Sequence, residues 1–171
     1  YKKIIIWSAE NFTVSSSKKS IIQKDCKEWK KSRKSIVFTN GCFDLMHNGH
    51  IDLLMESAKL GDILIVGLNS DSSVKILKGD DRPIQSEAIR IDVLLKTGVV
   101  SKVYLFDDET PLKLIKIIKP DILVKGGDYS PDEVVGKKEI AEWGGRVKIV
   151  PLTPGYSTTK TIQKMKRQGL V

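Results

Sequence analysis

The sequence has little cysteine, little histidine, little arginine and no long apolar run. Cys26 and Cys42 are the only cysteines in 171 residues. Two cysteines cannot build a disulfide scaffold, and no metal-type spacing links them. A reducing compartment fits, so a cytoplasmic protein is expected. The apolar runs are short, such as Ile4–Trp7 and Ile63–Val66. A membrane helix needs about 20 apolar residues and a signal peptide about 7–15, so neither is expected. The first residue is Tyr1 rather than Met, so a few native residues are expected to precede it.

What is present is ordinary for a globular protein: 40% apolar and 29% charged residues. That composition excludes global disorder. The length suits one domain with a substantial core. The net charge of +8 misleads until it is divided. Residues 1–34 carry +7 and residues 159–171 carry +4, whereas residues 35–158 carry −3. A nucleic-acid surface would gather its cations on one face, whereas here they lie at the two ends of a slightly acidic body. Solvated helix faces explain the terminal lysines. Arginine, the bidentate phosphate ligand, occurs only at 33, 82, 90, 146 and 167, which makes those in loops candidates.

Along the chain, apolar runs alternate with helical patterns. Strands are expected at 35–39, 62–68, 102–106, 121–124 and 147–150. Helices are expected at 17–31, 50–60, 71–77, 86–96, 111–118 and 159–167. Lys3–Trp7 is strand-like without an assigned role. Continuous apolar strands separated by helices imply βαβ units and a buried parallel sheet. The expected fold is α/β: a Rossmann-like three-layer domain with a parallel sheet of about five strands. Residues 1–34 are expected to form an N-terminal extension with a basic helix, and residues 35–171 the main domain. In such folds ligands bind beyond the carboxyl ends of the strands, so those loops carry the candidates.

The first loop, Asn40-Gly41-Cys42-Phe43-Asp44-Leu45-Met46-His47-Asn48-Gly49-His50, contains both histidines of the chain. Gly41 turns the chain, and Gly49 allows close approach of a ligand to the backbone. The amides of a helix start attract anions, and the two imidazoles can donate to phosphate oxygens. A metal pair is the weaker reading, since no cysteine or third histidine completes it. Lys78 and Arg82 sit in a Gly/Asp-rich loop that could close over a polyphosphate or simply be solvated. Lys125-Gly126-Gly127-Asp128-Tyr129 offers a cation, two glycines and a hydroxyl acceptor, or is a plain turn. Gly155-Tyr156-Ser157-Thr158-Thr159 opens a helix with hydroxyls and amides suited to phosphates, or merely caps it. Trp7, Trp29 and Trp143 read as packing residues.

His47-Asn48-Gly49-His50 resembles the HxGH signature of the cytidylyltransferase-like nucleotidyltransferases. Leu77–Ile84, Leu123–Tyr129 and Gly155–Thr159 follow in the order seen in one branch. That branch is the ADP-heptose synthases, D-glycero-β-D-manno-heptose 1-phosphate adenylyltransferases, in their stand-alone form. The resemblance spans roughly residues 35–168. It implies adenylyl transfer from ATP to a sugar 1-phosphate, with magnesium bridging the phosphates, for lipopolysaccharide core or related glycan synthesis. It implies that His47, His50, Lys78 and Arg82 act on the phosphates. ATP contacts are implied for Gly41, Cys42, Phe43, Gly49, Arg90, Gly126, Ser157, Thr158 and Thr159. Sugar-phosphate contacts are implied for Asp44, Lys125, Gly127, Asp128 and Tyr129. Asp44 stays open between touching magnesium or sugar phosphate and capping its own loop, and Arg90 between nucleotide and ion pair. Partners are expected to be small molecules and a second copy in a homodimer, with neither nucleic acid nor membrane. Cys42 stands where many relatives of this superfamily carry Thr. Leu152 stands where glycerol-3-phosphate cytidylyltransferases carry Arg, which disfavours that acceptor. The alternatives are another enzyme of the superfamily or, in a different class, a nucleic-acid-binding module using the basic ends.

Overall fold

The computed structural model describes residues 19–127 and 129–151. In chain order the elements are α1 (Lys19–Lys31), β1 (Ile36–Gly41), α2 (Asn48–Ala58), β2 (Ile63–Asn69), α3 (Asp71–Lys78), α4 (Glu87–Lys96), β3 (Lys102–Phe106), α5 (Leu112–Ile118), β4 (Ile122–Gly126), α6 (Lys137–Glu142) and β5 (Arg146–Val150). A short 3-10 turn, Pro131–Glu133, precedes α6. The strands form one five-stranded sheet in the order β3-β2-β1-β4-β5, and every pair is parallel. The expected Rossmann-like α/β fold is what is found. The expected strand at Lys3–Trp7 and helix at 159–167 lie outside the described residues.

The central strands β1, β2 and β4 are mostly apolar because both their faces are covered, whereas the edge strand β5 exposes Arg146 and Lys148 and buries only Val150. Successive side chains alternate between the faces. Ile36, Phe38, Ile63, Ile65, Tyr104 and Leu123 pack against α1, α5 and α6 through Ile22, Cys26, Leu114, Ile115, Ile118 and Ile140. Val37, Leu64, Val66, Leu68, Val103 and Val124 pack against α2 and α4 through Leu53, Leu54, Ile91 and Leu94. The basic helix α1 therefore shares the core of the sheet, and Tyr104 Oη donates to its Asp25 at 2.7 Å. Two elements differ from the expected pattern. α2 begins at Asn48, before His50, because His47 takes the N-cap position without a side-chain capping bond. α6 escapes sequence reading because it is six residues long and buries only Ile140.

Strand order reverses at β1, with β2 on one side and β4 on the other. The chain leaves β1 and β4 in opposite lateral directions, which opens a crevice beyond their carboxyl ends. Close packing on the other side of the sheet is strict. A Cβ on Gly67 in β2 would lie 2.7 Å from the Phe38 ring, which has no exposure and no room to move. Gly67→Ala is expected to lower stability by about 1–3 kcal/mol, as overpacking of a core does. Urea unfolding measures it, and an unchanged midpoint would show that the β1–β2 layer is looser than described.

Candidate active site

β1 ends at Asn40 and Gly41, and the chain then makes two unusual turns. Phe43 (φ 46°) and Leu45 (φ 50°) both adopt left-handed backbone, which is costly for side chains of this size. Asp44 lies between them with 1% exposure. Its carboxylate faces the loop between α3 and α4. Oδ2 accepts from Arg82 Nε at 2.8 Å and from the Ile84 amide at 2.9 Å, and Oδ1 accepts from the Gln85 amide at 3.0 Å. Arg90 of α4 binds in the reverse direction. Its guanidinium has no exposure and donates to Cys42 O at 2.6 Å, Gln85 O at 3.1 Å and Asp71 Oδ1 at 2.7 Å. Both charges that the sequence offered to a ligand are thus engaged in tying one strand-end loop to the next.

The two histidines open α2. His47 is the extended N-cap residue and His50 lies in the first turn. Their rings stack at 3.9 Å between centroids and 17° between planes, with Phe43 tilted against His50 at 5.3 Å. Burial holds both imidazoles below the ordinary histidine range. For His50 burial acts first and the neighbouring His47 second, and its pKa is pushed down to about 4. The pair is therefore neutral near pH 7, and each neutral ring has one N–H to donate. The backbone amides at the start of an 11-residue helix add a positive end beside them.

Around Cys42 the cations converge. Burial raises the Cys42 thiol, while Lys78, Arg90 and Arg82 pull it the other way from close range. The thiol stays protonated and donates weakly to Asn69 Oδ1 at 3.8 Å, which does not describe a nucleophile. Lys125, at the end of β4, donates to Asn40 Oδ1 across the switch point at 3.1 Å. Its burial lowers the ammonium below the usual lysine value. The Lys125 ammonium stands 6.0 Å above the ring centre of Tyr129, which is half exposed. Gly126 closes β4, and Gly127 has φ 123°, a conformation that suits glycine. Lys78 is exposed at the end of α3. Asp128, Ser157, Thr158 and Thr159 lie outside the described residues.

The structure brings together Gly41, Cys42, Phe43, Asp44, His47, Gly49, His50, Lys78, Arg82 and Arg90, with Lys125 approaching from β4. Sequence reading passed over Asn40, Asn69, Asp71 and Gln85, the partners that orient them. The two asparagines had a signal: each is a polar residue at the end of an otherwise apolar strand.

A parallel sheet whose strand order switches direction between β1 and β4, with a histidine pair at a helix start and cations beyond its carboxyl edge, forms a crevice suited to an anionic ligand. The chain belongs to the cytidylyltransferase-like family, which it matches over residues 38–164. It is 47% identical over 167 residues to the bifunctional protein HldE of Koribacter versatilis, covering 96% of this chain and 34% of that protein. It is 52% identical over 139 residues to the bifunctional protein HldE of Acidiphilium cryptum, covering 81% of this chain and 28% of that one. The chain therefore spans about a third or less of the length of these curated relatives. Among solved structures, the lipopolysaccharide core biosynthesis protein from Thermoplasma volcanium superposes with a TM-score of 0.57 at 34% identity, over 70% of this chain and 97% of that one.

The depressed His50 has a stability consequence. The unfolded chain holds that proton up to a pKa of about 6.5, the folded chain only up to about 4. Protonation therefore favours unfolding. The stability tied to neutral His50 is full above pH 6.5 and lost as pH falls towards 4, by at most about 3 kcal/mol. His50→Gln is expected to flatten this part of the stability–pH curve. A proton NMR titration should place the His50 midpoint near 4, and a midpoint at 6.5 would contradict the stacked, half-buried pair.

Proposed function

We propose that the chain is an adenylyltransferase that joins ATP and D-glycero-β-D-manno-heptose 1-phosphate to give ADP-heptose and pyrophosphate. The observation that carries this reading is the stacked His47–His50 pair at the start of α2, beside the cations Lys78, Arg82 and Arg90 that gather around Cys42. Kinship with the HldE proteins supports the heptose phosphate as acceptor.

The reaction needs no base. The attacking group is an oxygen of the sugar phosphate, already mostly dianionic at pH 7 with its second pKa about 6. That oxygen forms a bond to the α-phosphorus of ATP. The bond from the α-phosphorus to the bridging oxygen breaks, and pyrophosphate leaves with the electron pair. The protein must bring two polyanions together and stabilise charge on the α-phosphoryl group and the leaving pyrophosphate. His47, His50 and the α2 amides would grip the α- and β-phosphates. Arg82 and Lys78 would hold the departing pyrophosphate. Lys125 would meet the sugar phosphate. Magnesium would supply further charge neutralisation on the phosphates themselves. The donor set fits an ion carried by substrate, because among the described residues no three His, Cys, Asp or Glu side chains converge as a cage. No helix among the described residues is long and apolar enough to cross a membrane.

A panel of nucleotides against sugar and alcohol phosphates, scored for pyrophosphate release, tests the reading. Release is expected to require ATP, magnesium and the heptose 1-phosphate together. His47→Ala and His50→Ala should each lower kcat by about 10²-fold with the circular dichroism spectrum retained, as loss of a transition-state donor does. Equal or faster turnover of CTP with glycerol 3-phosphate would replace this assignment with the cytidylyl one.

A further inference from the structure

The sequence offered Asp44 as a ligand for magnesium or sugar phosphate, but its surroundings describe a different task. We propose that Asp44 is a positioning residue that sets the Arg82 guanidinium at the phosphate end of the crevice and touches neither metal nor sugar. This rests on the reading of the crevice as a polyphosphate site.

Three observations carry it. First, the carboxylate has no spare capacity facing solvent: it is 1% exposed and already accepts from Arg82 Nε, the Ile84 amide and the Gln85 amide at 2.8, 2.9 and 3.0 Å. A cation from the crevice would have to displace at least one of these donors to reach so buried a carboxylate, leaving a guanidinium or an amide without its acceptor. Second, Asp44 takes Arg82 through Nε. That leaves the outer edge of the fork, its two terminal amino groups, in the geometry that meets two phosphate oxygens at once. A side chain held in this way loses no further freedom when the anion arrives. Third, the contacts close a ring. Gln85 is held at its N–H by Asp44 and at its C=O by Arg90, and Arg90 returns to the carbonyl of Cys42, two residues before Asp44. The 42–45 and 82–85 loops therefore move as one piece. Where Asp44 points, Arg82 follows.

The test compares the full chain with Asp44→Asn, Arg82→Ala and the double variant. Asparagine keeps the shape of Asp44 but offers one acceptor oxygen and turns an amino group towards the donors. Two readouts are taken. One is calorimetric affinity for inorganic tripolyphosphate, which needs no turnover. The other is kcat, KM and the magnesium half-saturation of pyrophosphate release. Asp44→Asn is expected to weaken tripolyphosphate binding about 10-fold and to lower kcat/KM by about 10²-fold, as loss of a charge-assisted phosphate contact does. In the Arg82→Ala background the same change should cost less than about threefold, because contacting residues that act through one another are not additive. Magnesium half-saturation should not move. Arg82→Lys keeps the charge but lacks the Nε–H and the fork, so it should resemble Arg82→Ala; this arm decides if Asp44→Asn does not fold. An undiminished Asp44→Asn effect without Arg82, a tenfold shift in magnesium requirement, or an Arg82→Lys enzyme close to wild type would each overturn the proposal. If no nucleotide is turned over but the tripolyphosphate cycle behaves as stated, the adenylyl reading fails and the positioning role stands.

Discussion

A guanidinium wholly removed from solvent holds the active-site end of this domain together. Arg90 is the largest fully buried side chain among the described residues. Burying such a charge costs several kcal/mol unless its donors are filled. Here the partners are two main-chain carbonyls and one carboxylate, at Cys42, Gln85 and Asp71. Asp71 is itself fixed, since its amide donates to Glu87 at 2.9 Å. Through this one residue α4 is fastened to the start of α3 and to the chain leaving β1. Every other feature of the crevice follows from where those segments lie: the inward Asp44, the Arg82 it holds, and Phe43 against His50. A lysine could not replace Arg90, because a single ammonium lacks the planar fork that reaches three acceptors in different directions.

The electrostatics of the crevice are local. Residues 35–158 carry −3, so the body as a whole does not draw in an anion. At about 0.15 M salt, fields from the basic ends fade over roughly 8 Å. Attraction must come from a few desolvated groups at the carboxyl edge of the sheet. Lys125 illustrates the principle. Burial destabilises its ammonium, and a phosphate at that position would relieve the strain by supplying the missing counter-charge. The histidines solve the opposite problem. Two imidazoles stacked at 3.9 Å cannot both be charged cheaply, so a neutral pair gives directional donors without mutual repulsion. Fixed cations supply the field and neutral imidazoles supply the aim.

What the sequence disclosed followed the strength of each local signal. The five expected strands are all found and all parallel, though the fifth, interrupted by Lys148, lies at the sheet edge with only Val150 buried. Proline at 111 and 120 bracketed α5 because both residues constrain the backbone independently of tertiary contacts. The His47–His50 loop was visible because scarce residues cluster there. For Asp44 and Arg90 the sequence left a ligand role and a structural role both open, and could not name the structural partners, because of separation. The partners of Asp44 lie 38–41 residues away, and Cys42 lies 48 residues from Arg90. A carboxylate in a strand-end loop and an arginine on a helix can each be a ligand or a structural tie, and only the fold shows which backbone groups they satisfy. Asn40 was passed over for the same reason, because its acceptor function exists only once β4 lies beside β1.

The strain around Asp44 connects this architecture to the chemistry. Phe43 and Leu45 each occupy a backbone region that costs about 1–3 kcal/mol for such residues. The three hydrogen bonds to the carboxylate, worth about 1.5–3 kcal/mol each when one partner is charged, are of a size to offset that cost. An unstrained loop would turn Asp44 towards solvent, where it would repel incoming phosphates. The strained loop buries that negative charge against Arg82, whose terminal amino groups would, on the proposed reading, be left to meet a phosphate. For a reaction whose nucleophile arrives already ionised, the protein's contribution is where its positive groups stand. The two left-handed residues after β1 belong to that contribution as much as the cations do.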